Sequence, residues 1–181
     1  MNRPFYLAFV LPTLATLLLA IPAQEPQRPS MNELESRIQR ELDAHGKRVL
    51  GHDAYSWKTQ LDHIAVCRAY LTVHQVSKLG EVVIHDETVE FSLGSIEATG
   101  VEPDKGWIVL PCTVHQKCIT RVSSCSKTTK DGLAVDCSEK GDRREESFSL
   151  EYDGDAGAAS RLQQDFRQAI ELCREATHVD F

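Results

Sequence analysis

The placement of six cysteines constrains this 181-residue chain more than any other feature. Four of them lie between Trp107 and Cys137, in WIVLPCTVHQKCITRVSSCSKTTKDGLAVDC. They fall into two short-range pairs. Cys112 and Cys118 flank Thr-Val-His-Gln-Lys, a connection between two expected strands. Cys125 and Cys137 bracket a polar loop with the turn signal Asp131-Gly132. Facing hairpin ends bring Cα atoms into the window of roughly 4.4–6.8 Å that a disulfide needs. Cys67 and Cys173 remain, on the apolar faces of an expected strand and an expected helix, and pairing them would pin that helix to the sheet. Six cysteines admit many pairings. The set 112–118, 125–137 and 67–173 is therefore an expectation, its third member reached partly by elimination. In the chain-entropy picture the three closures contribute at most about 2.4, 2.9 and 4.8 kcal/mol respectively.

Compartment decides whether thiols pair, and the first 23 residues speak to it. MNRPFYLAFVLPTLATLLLAIPA carries positive charge at its start and an uncharged run from Phe5 to Ala20. Small residues follow at Ala20 and Ala23. This is the layout of a secretory signal peptide. The run is shorter than the roughly 20 apolar residues of a membrane span and contains Pro12. The expectation is cleavage after Ala23, no transmembrane anchor in the mature chain, and a secreted or periplasmic location in which disulfides form.

Charge narrows the partners. The chain has 20 Lys and Arg against 27 Asp and Glu, a formal net charge of −7, with no basic run. Such a chain is a poor binder of nucleic acid or of anionic membrane surfaces. An apolar fraction of 41% supplies enough material for a core.

Residues 24–29 read as a proline-rich spacer. Ser30 and Glu33 have the spacing of a capping box. Met31, Leu34, Ile38, Leu42 and Val49 form one helical stripe, with Gly51 as its expected end. Trp57, Leu61 and Ile64 suggest a second short helix, making 30–63 an N-terminal helical segment. Alternation then predicts strands at Cys67–Val76, Val82–His85, Val89–Ser95, Trp107–Leu110, Lys117–Ser123, Leu133–Asp136 and Ser147–Tyr152. Gly141–Glu145 reads as a charged turn. A helix over 158–176 places Leu162, Phe166, Ala169, Ile170 and Cys173 within one arc. The fold class is thus α+β, an antiparallel barrel or sandwich of about seven strands capped by a C-terminal helix, over residues 64–177.

Motifs for chemistry are sparse. Cys112, His115 and Cys118 have C-x2-H-x2-C spacing, but no fourth zinc ligand stands at a fixed offset, and an even cysteine count favours disulfides. His85-Asp86-Glu87 reads as a solvated hairpin tip. Asp153-Gly154-Asp155 resembles the start of a calcium loop and lacks its later ligands. No metal and no cofactor is expected. Nucleophile-elbow and phosphate-loop stretches are absent.

The order of seven short strands followed by one amphipathic helix resembles the pleckstrin-homology superfold at the level of topology. That resemblance implies a small bent barrel with a helix plugging one end, and a scaffold for protein or peptide contacts. Phosphoinositide-binding members carry a basic cluster at the first hairpin. The corresponding Ser77-Lys78-Leu79-Gly80 offers one lysine, so lipid-headgroup binding is not implied. The functional expectation is a secreted, disulfide-stabilised, non-catalytic binding or structural domain with another protein or peptide as partner. Two alternatives stand beside it. One is a lipocalin-like carrier with an apolar cavity lined by Phe91, Leu93 and Trp107. The other is a small hydrolase using His115 or His85.

Overall fold

The computed structural model describes residues 28–51, 54–78, 82–104, 106–114, 116–128, 133–136 and 141–178. The expected signal peptide lies outside the described residues. Helix α1 (Met31–His45) opens with the capping box: the Ser30 N–H donates to the Glu33 carboxylate at 2.7 Å, and the Glu33 N–H donates to Ser30 Oγ at 3.3 Å. Leu34, Ile38 and Leu42 are fully buried on one face. The helix ends at Gly46 rather than running to Gly51. The Gly46 N–H bonds to the Leu42 carbonyl, and its own carbonyl accepts from the Thr59 N–H at 2.6 Å. A Cβ at position 46 would stand 2.6 Å from both the Leu42 and the Thr59 carbonyl oxygens. Only glycine lets the chain leave the helix so close to the next strand.

Val49, expected on the helix, lies in strand β1 (Lys47–Leu50), which pairs with β2 (Tyr55–Ala65). The second helix expected around Trp57, Leu61 and Ile64 is absent, and those residues lie in β2. The i, i+4 spacing of Trp57 and Leu61 suits either period. Tyr55, Trp57, Thr59 and Leu61 together follow the two-residue period and are aromatic or β-branched except for the leucine, which favours a strand. A two-residue turn joins β2 to β3 (Arg68–Ser77), with φ of 47° at Val66 and 59° at Cys67. Such turns ordinarily use Asn-Gly, because both central residues take positive φ. Cys67 therefore sits at a hairpin tip, not on a strand face as expected.

Strand β4 (Val82–Ser92) runs unbroken through His85-Asp86-Glu87. The two strands and hairpin tip expected there are one element, because β3 pairs with it from Arg68↔Ser92 to Ser77↔Val83. The short β5 (Glu102–Asp104), β6 (Trp107–Pro111), β7 (Ile119–Thr128) and β8 (Ala134–Asp136) follow. The expected charged turn at Gly141–Glu145 is strand β9, paired with β7. Strand β10 (Ser147–Glu151) and helix α2 (Ala156–His178) complete the chain.

The architecture is α+β: among the described residues two antiparallel sheets are flanked in sequence by an N-terminal and a C-terminal helix. The larger sheet has seven strands in the order β1-β2-β3-β4-β7-β8, with β9 also on β7; the smaller has the order β10-β6-β5. The strand series and C-terminal helix are compatible with a pleckstrin-homology-like topology. The sheets do not close into a barrel. β8 and β9 share the outer edge of β7, while β5, β6 and β10 pair among themselves, so β1 meets no closing strand.

The core gathers Leu34, Ile38 and Leu42 of α1 and Leu162, Phe166, Ala169, Ile170 and Cys173 of α2 with Leu71, Phe91, Leu110 and Ile119 of the sheets. Arg167 donates to the Ala98 and Val101 carbonyls, and Arg174 to the Ile96 carbonyl at 2.7 Å. These bonds fix α2 to the segment following β4. Cys67 and Cys173 are joined, with Cα atoms 5.5 Å apart across 106 residues of sequence. Cys112 and Cys118 are likewise joined, at 5.7 Å. Cys125 is disulfide-bonded, and Cys137 lies outside the described residues.

Loop length sets the expected energetics. Replacing Cys67 and Cys173 together by serine should lower stability by up to about 4.8 kcal/mol, and replacing Cys112 and Cys118 by up to about 2.4 kcal/mol. Guanidinium denaturation without reductant measures both. Equal or inverted losses contradict the expected order.

Candidate functional site

The inward face of the larger sheet changes character along its strands. Register aligns the residues into rows. Leu61, Leu71 and Val89 form one row that ends on Arg121. The next holds Thr59, Val73, Glu87 and Ser123. The one beyond holds Arg48, Trp57, Gln75, His85 and Cys125. Within two rows the face passes from aliphatic to polar and aromatic, while the strands stay paired. A sheet face that is apolar at one end and polar at the other is covered only part of the way along.

The uncovered end is one wall of a cleft of about 400 Å³, within the usual range for ligand pockets. Tyr55, Trp57, Thr59, Val73, Gln75 and Arg121 line that wall, and Trp107, Ser147, Phe148, Ser149 and Glu151 of the smaller sheet line the other. Trp57 and Trp107 face each other across 5.6 Å between ring centroids, and Tyr55 meets Trp57 edge-on at 6.1 Å. Trp57 is buried, whereas Trp107 is 37% exposed at the mouth. The Trp57 Nε1–H is buried without an acceptor.

Three titratable groups shape the field inside. Arg121 bonds both Glu87 and Glu145, the latter at 3.1 Å, and its guanidinium lies 5.7 Å from the Phe148 ring centroid. Burial works against its charge, and the two carboxylates outweigh burial and hold it protonated. Glu151 is only 9% exposed. Burial pushes its carboxyl up to about 7, against the opposing pull of Arg48. Burial also raises the Tyr55 hydroxyl, aided by the negative charges of Glu151 and Glu87. The cleft thus holds a neutral phenol, a carboxyl that titrates near neutrality, and an arginine shared by two acids.

An adjoining recess of about 80 Å³ is lined by His85, Glu87, Arg121, Ser123, Arg143 and Glu145. His85 Nε2 stands 3.7 Å from Cys125 Sγ. His115 lies outside the described residues. The sulfurs of Cys112 and Cys118 are bonded to each other, which removes the two thiolates that a zinc reading requires. Asp155 of the calcium-like stretch caps α2, accepting from the Ala158 N–H at 2.7 Å. That backbone hydrogen bond holds its carboxyl below the usual range. The lipocalin-like cavity is overturned: Phe91 and Leu93 are packed in a filled core, and only Trp107 of the three reaches open space.

The cleft residues Tyr55, Trp57, Arg121, Glu145 and Glu151 escape sequence reasoning. In β10, Phe148 and Leu150 mark the core face, so Ser147, Ser149 and Glu151 read as solvent-facing. One signal was available. Inward positions in β3, β4 and β7 change from Leu71, Val89 and Ile119 to Gln75, Glu87 and Arg121, which an ordinary half-buried strand does not require.

No family model, no curated protein and no solved structure matches this chain.

The Glu151 shift carries a pH consequence. Its folded pKa of about 7 lies above the ordinary carboxylate value of 4.5, so the folded state binds the extra proton between those limits. The stability it contributes is complete below about pH 4.5 and is lost as pH rises through about 7. Glu151→Gln should therefore leave stability unchanged at acid pH and raise it by about 3 kcal/mol at pH 8. Denaturation of wild type and variant across this range measures the difference. A difference that does not vary with pH contradicts the assignment.

Proposed function

We propose that this chain is an exported, disulfide-stabilised, non-catalytic binding domain, and that the cleft between its sheets is the binding site. Export rests on residues 1–23, which have signal-peptide character. Among the described residues, no helix is long and apolar enough to cross a membrane. Oxidation rests on the Cys67–Cys173 and Cys112–Cys118 bonds, to which we add Cys125–Cys137 as the third pair. The pleckstrin-homology-like reading rests on element order and contributes a scaffold, not an activity.

The observation that carries binding is the uncovered polar and aromatic end of the large sheet's inward face, with Glu151 desolvated opposite Trp107. Keeping a carboxyl and a guanidinium in a half-closed cleft costs free energy that a purely structural face would avoid. The volume suits a small molecule, or a side chain presented by a partner protein or peptide. Nucleic acid and phosphoinositides fit poorly, because Arg121 is already shared by two carboxylates. The hydrolase reading keeps one point of support, His85 and Ser123 lining the same recess. The histidine's ring nitrogen, however, faces the Cys125 sulfur.

A fragment screen by NMR on oxidised, isotope-labelled protein tests this reading. Hits should perturb Tyr55, Trp57, Trp107 and Glu151, disappear in the cleft-filling Ser149→Trp variant, and be recovered chemically unchanged. Perturbations scattered over the surface, or none, would overturn the binding site. Turnover of a hit that is lost in His85→Ala would establish the hydrolase instead.

A further inference from the structure

The geometry points to a neutral, polyhydroxylated ring compound, a saccharide, as the ligand of the cleft between the two sheets. This inference rests on the binding reading above and names its ligand class.

The charges and hydrogen-bonding groups weigh against the other classes. A purely apolar ligand would seal Arg121, Glu145 and Glu151 from water and offer them nothing in return, a loss of several kcal/mol. An anion would meet the carboxylates of Glu145 and Glu151, and Arg121 is already bonded to Glu87 and Glu145. A cation would meet the Arg121 guanidinium on the large-sheet wall, with Arg48 of the Trp57 row close enough to act on Glu151. Strands β3 and β4 are paired along both edges, so a peptide finds no free edge on them, and one extending the open edge of β10 is distinguished by the short-peptide arm of the titration below.

A sugar ring satisfies what is left. Hydroxyl groups both donate and accept, which matches a site offering acceptors at Glu151 and Glu145 beside donors at Arg121, Gln75 and the protonated Tyr55. The planar carboxylate, amide and guanidinium groups engage adjacent ring hydroxyls two at a time, as they engage other bidentate partners. The flat C–H face of a pyranose needs an exposed aromatic ring. Trp107 provides it at the mouth, backed at 5.6 Å by the buried Trp57. Edge-on Tyr55 further limits Trp57 movement, so the platform is formed before the ligand arrives.

The test is titration of the full oxidised mature chain with a panel of neutral gluco-, galacto- and manno-oligosaccharides, read by tryptophan fluorescence and by NMR shifts. The expected result is saturable binding with Kd of roughly 0.01–1 mM, confined to cleft resonances. Trp107→Ala and Glu151→Gln should each weaken it about tenfold while the chain stays folded. Acidic and amino-sugar analogues should bind more weakly than their neutral parents. Failure of every neutral sugar overturns the saccharide assignment. If tetraalkylammonium salts, carboxylic acids or short peptides then shift the same residues, the cleft remains a binding site for another class. If nothing shifts them, the binding reading falls as well.

Discussion

The structure depends on one packing event, the burial of the α2 stripe against half of the large sheet's inner face. Leu162, Phe166, Ala169, Ile170 and Cys173 form one cluster with Leu71, Val89 and Phe91. Each such side chain contributes roughly 1.5–3 kcal/mol relative to exposure. The Cys67–Cys173 bond fixes where this contact lies, because it ties the helix to the β2–β3 hairpin tip. That turn holds Val66 and Cys67 at positive φ, which β-branched valine avoids without tertiary support. Helix α1 then closes the same end, and Gly46 lets it abut Thr59.

What the helices leave uncovered follows from where they stop. Rows of inward residues continue past the covered zone, and the smaller sheet stands off rather than packing flat. A polar and aromatic lining surrounds that space. Arg121 bridges the two regimes: it extends the Leu61–Leu71–Val89 row, yet it bonds Glu87 and Glu145 and rests on the buried Phe148 ring. One scaffold thus presents a dry core and a polar cleft on a single continuous sheet face, without closing a barrel.

Much of the fold was legible in the residues. The capping box at Ser30, the alternation through Val89–Phe91, the stripe of the last helix and the cysteine spacing each have a local cause, and local causes survive in sequence. The second helix, the turn at Gly141–Glu145 and the position of Cys67 were misread because pairing partners decided them. GDRRE becomes a strand only because β7 offers an open edge. Cys67 lies in a turn because Ala65 pairs with Arg68. The cleft was illegible for a related reason. Glu151 and Arg121 look like ordinary solvent-facing residues until the two sheets are set face to face.

The Cys67–Cys173 bond ties α2 to the hairpin and so decides which half of the sheet is core and which is cleft. Non-reducing peptide mapping of the mature protein, purified from its own compartment, tests it most directly. The expected result is a linked pair of peptides containing Cys67 and Cys173, with Cys112 linked to Cys118. Free thiols, or Cys67 linked to any other cysteine, would contradict it.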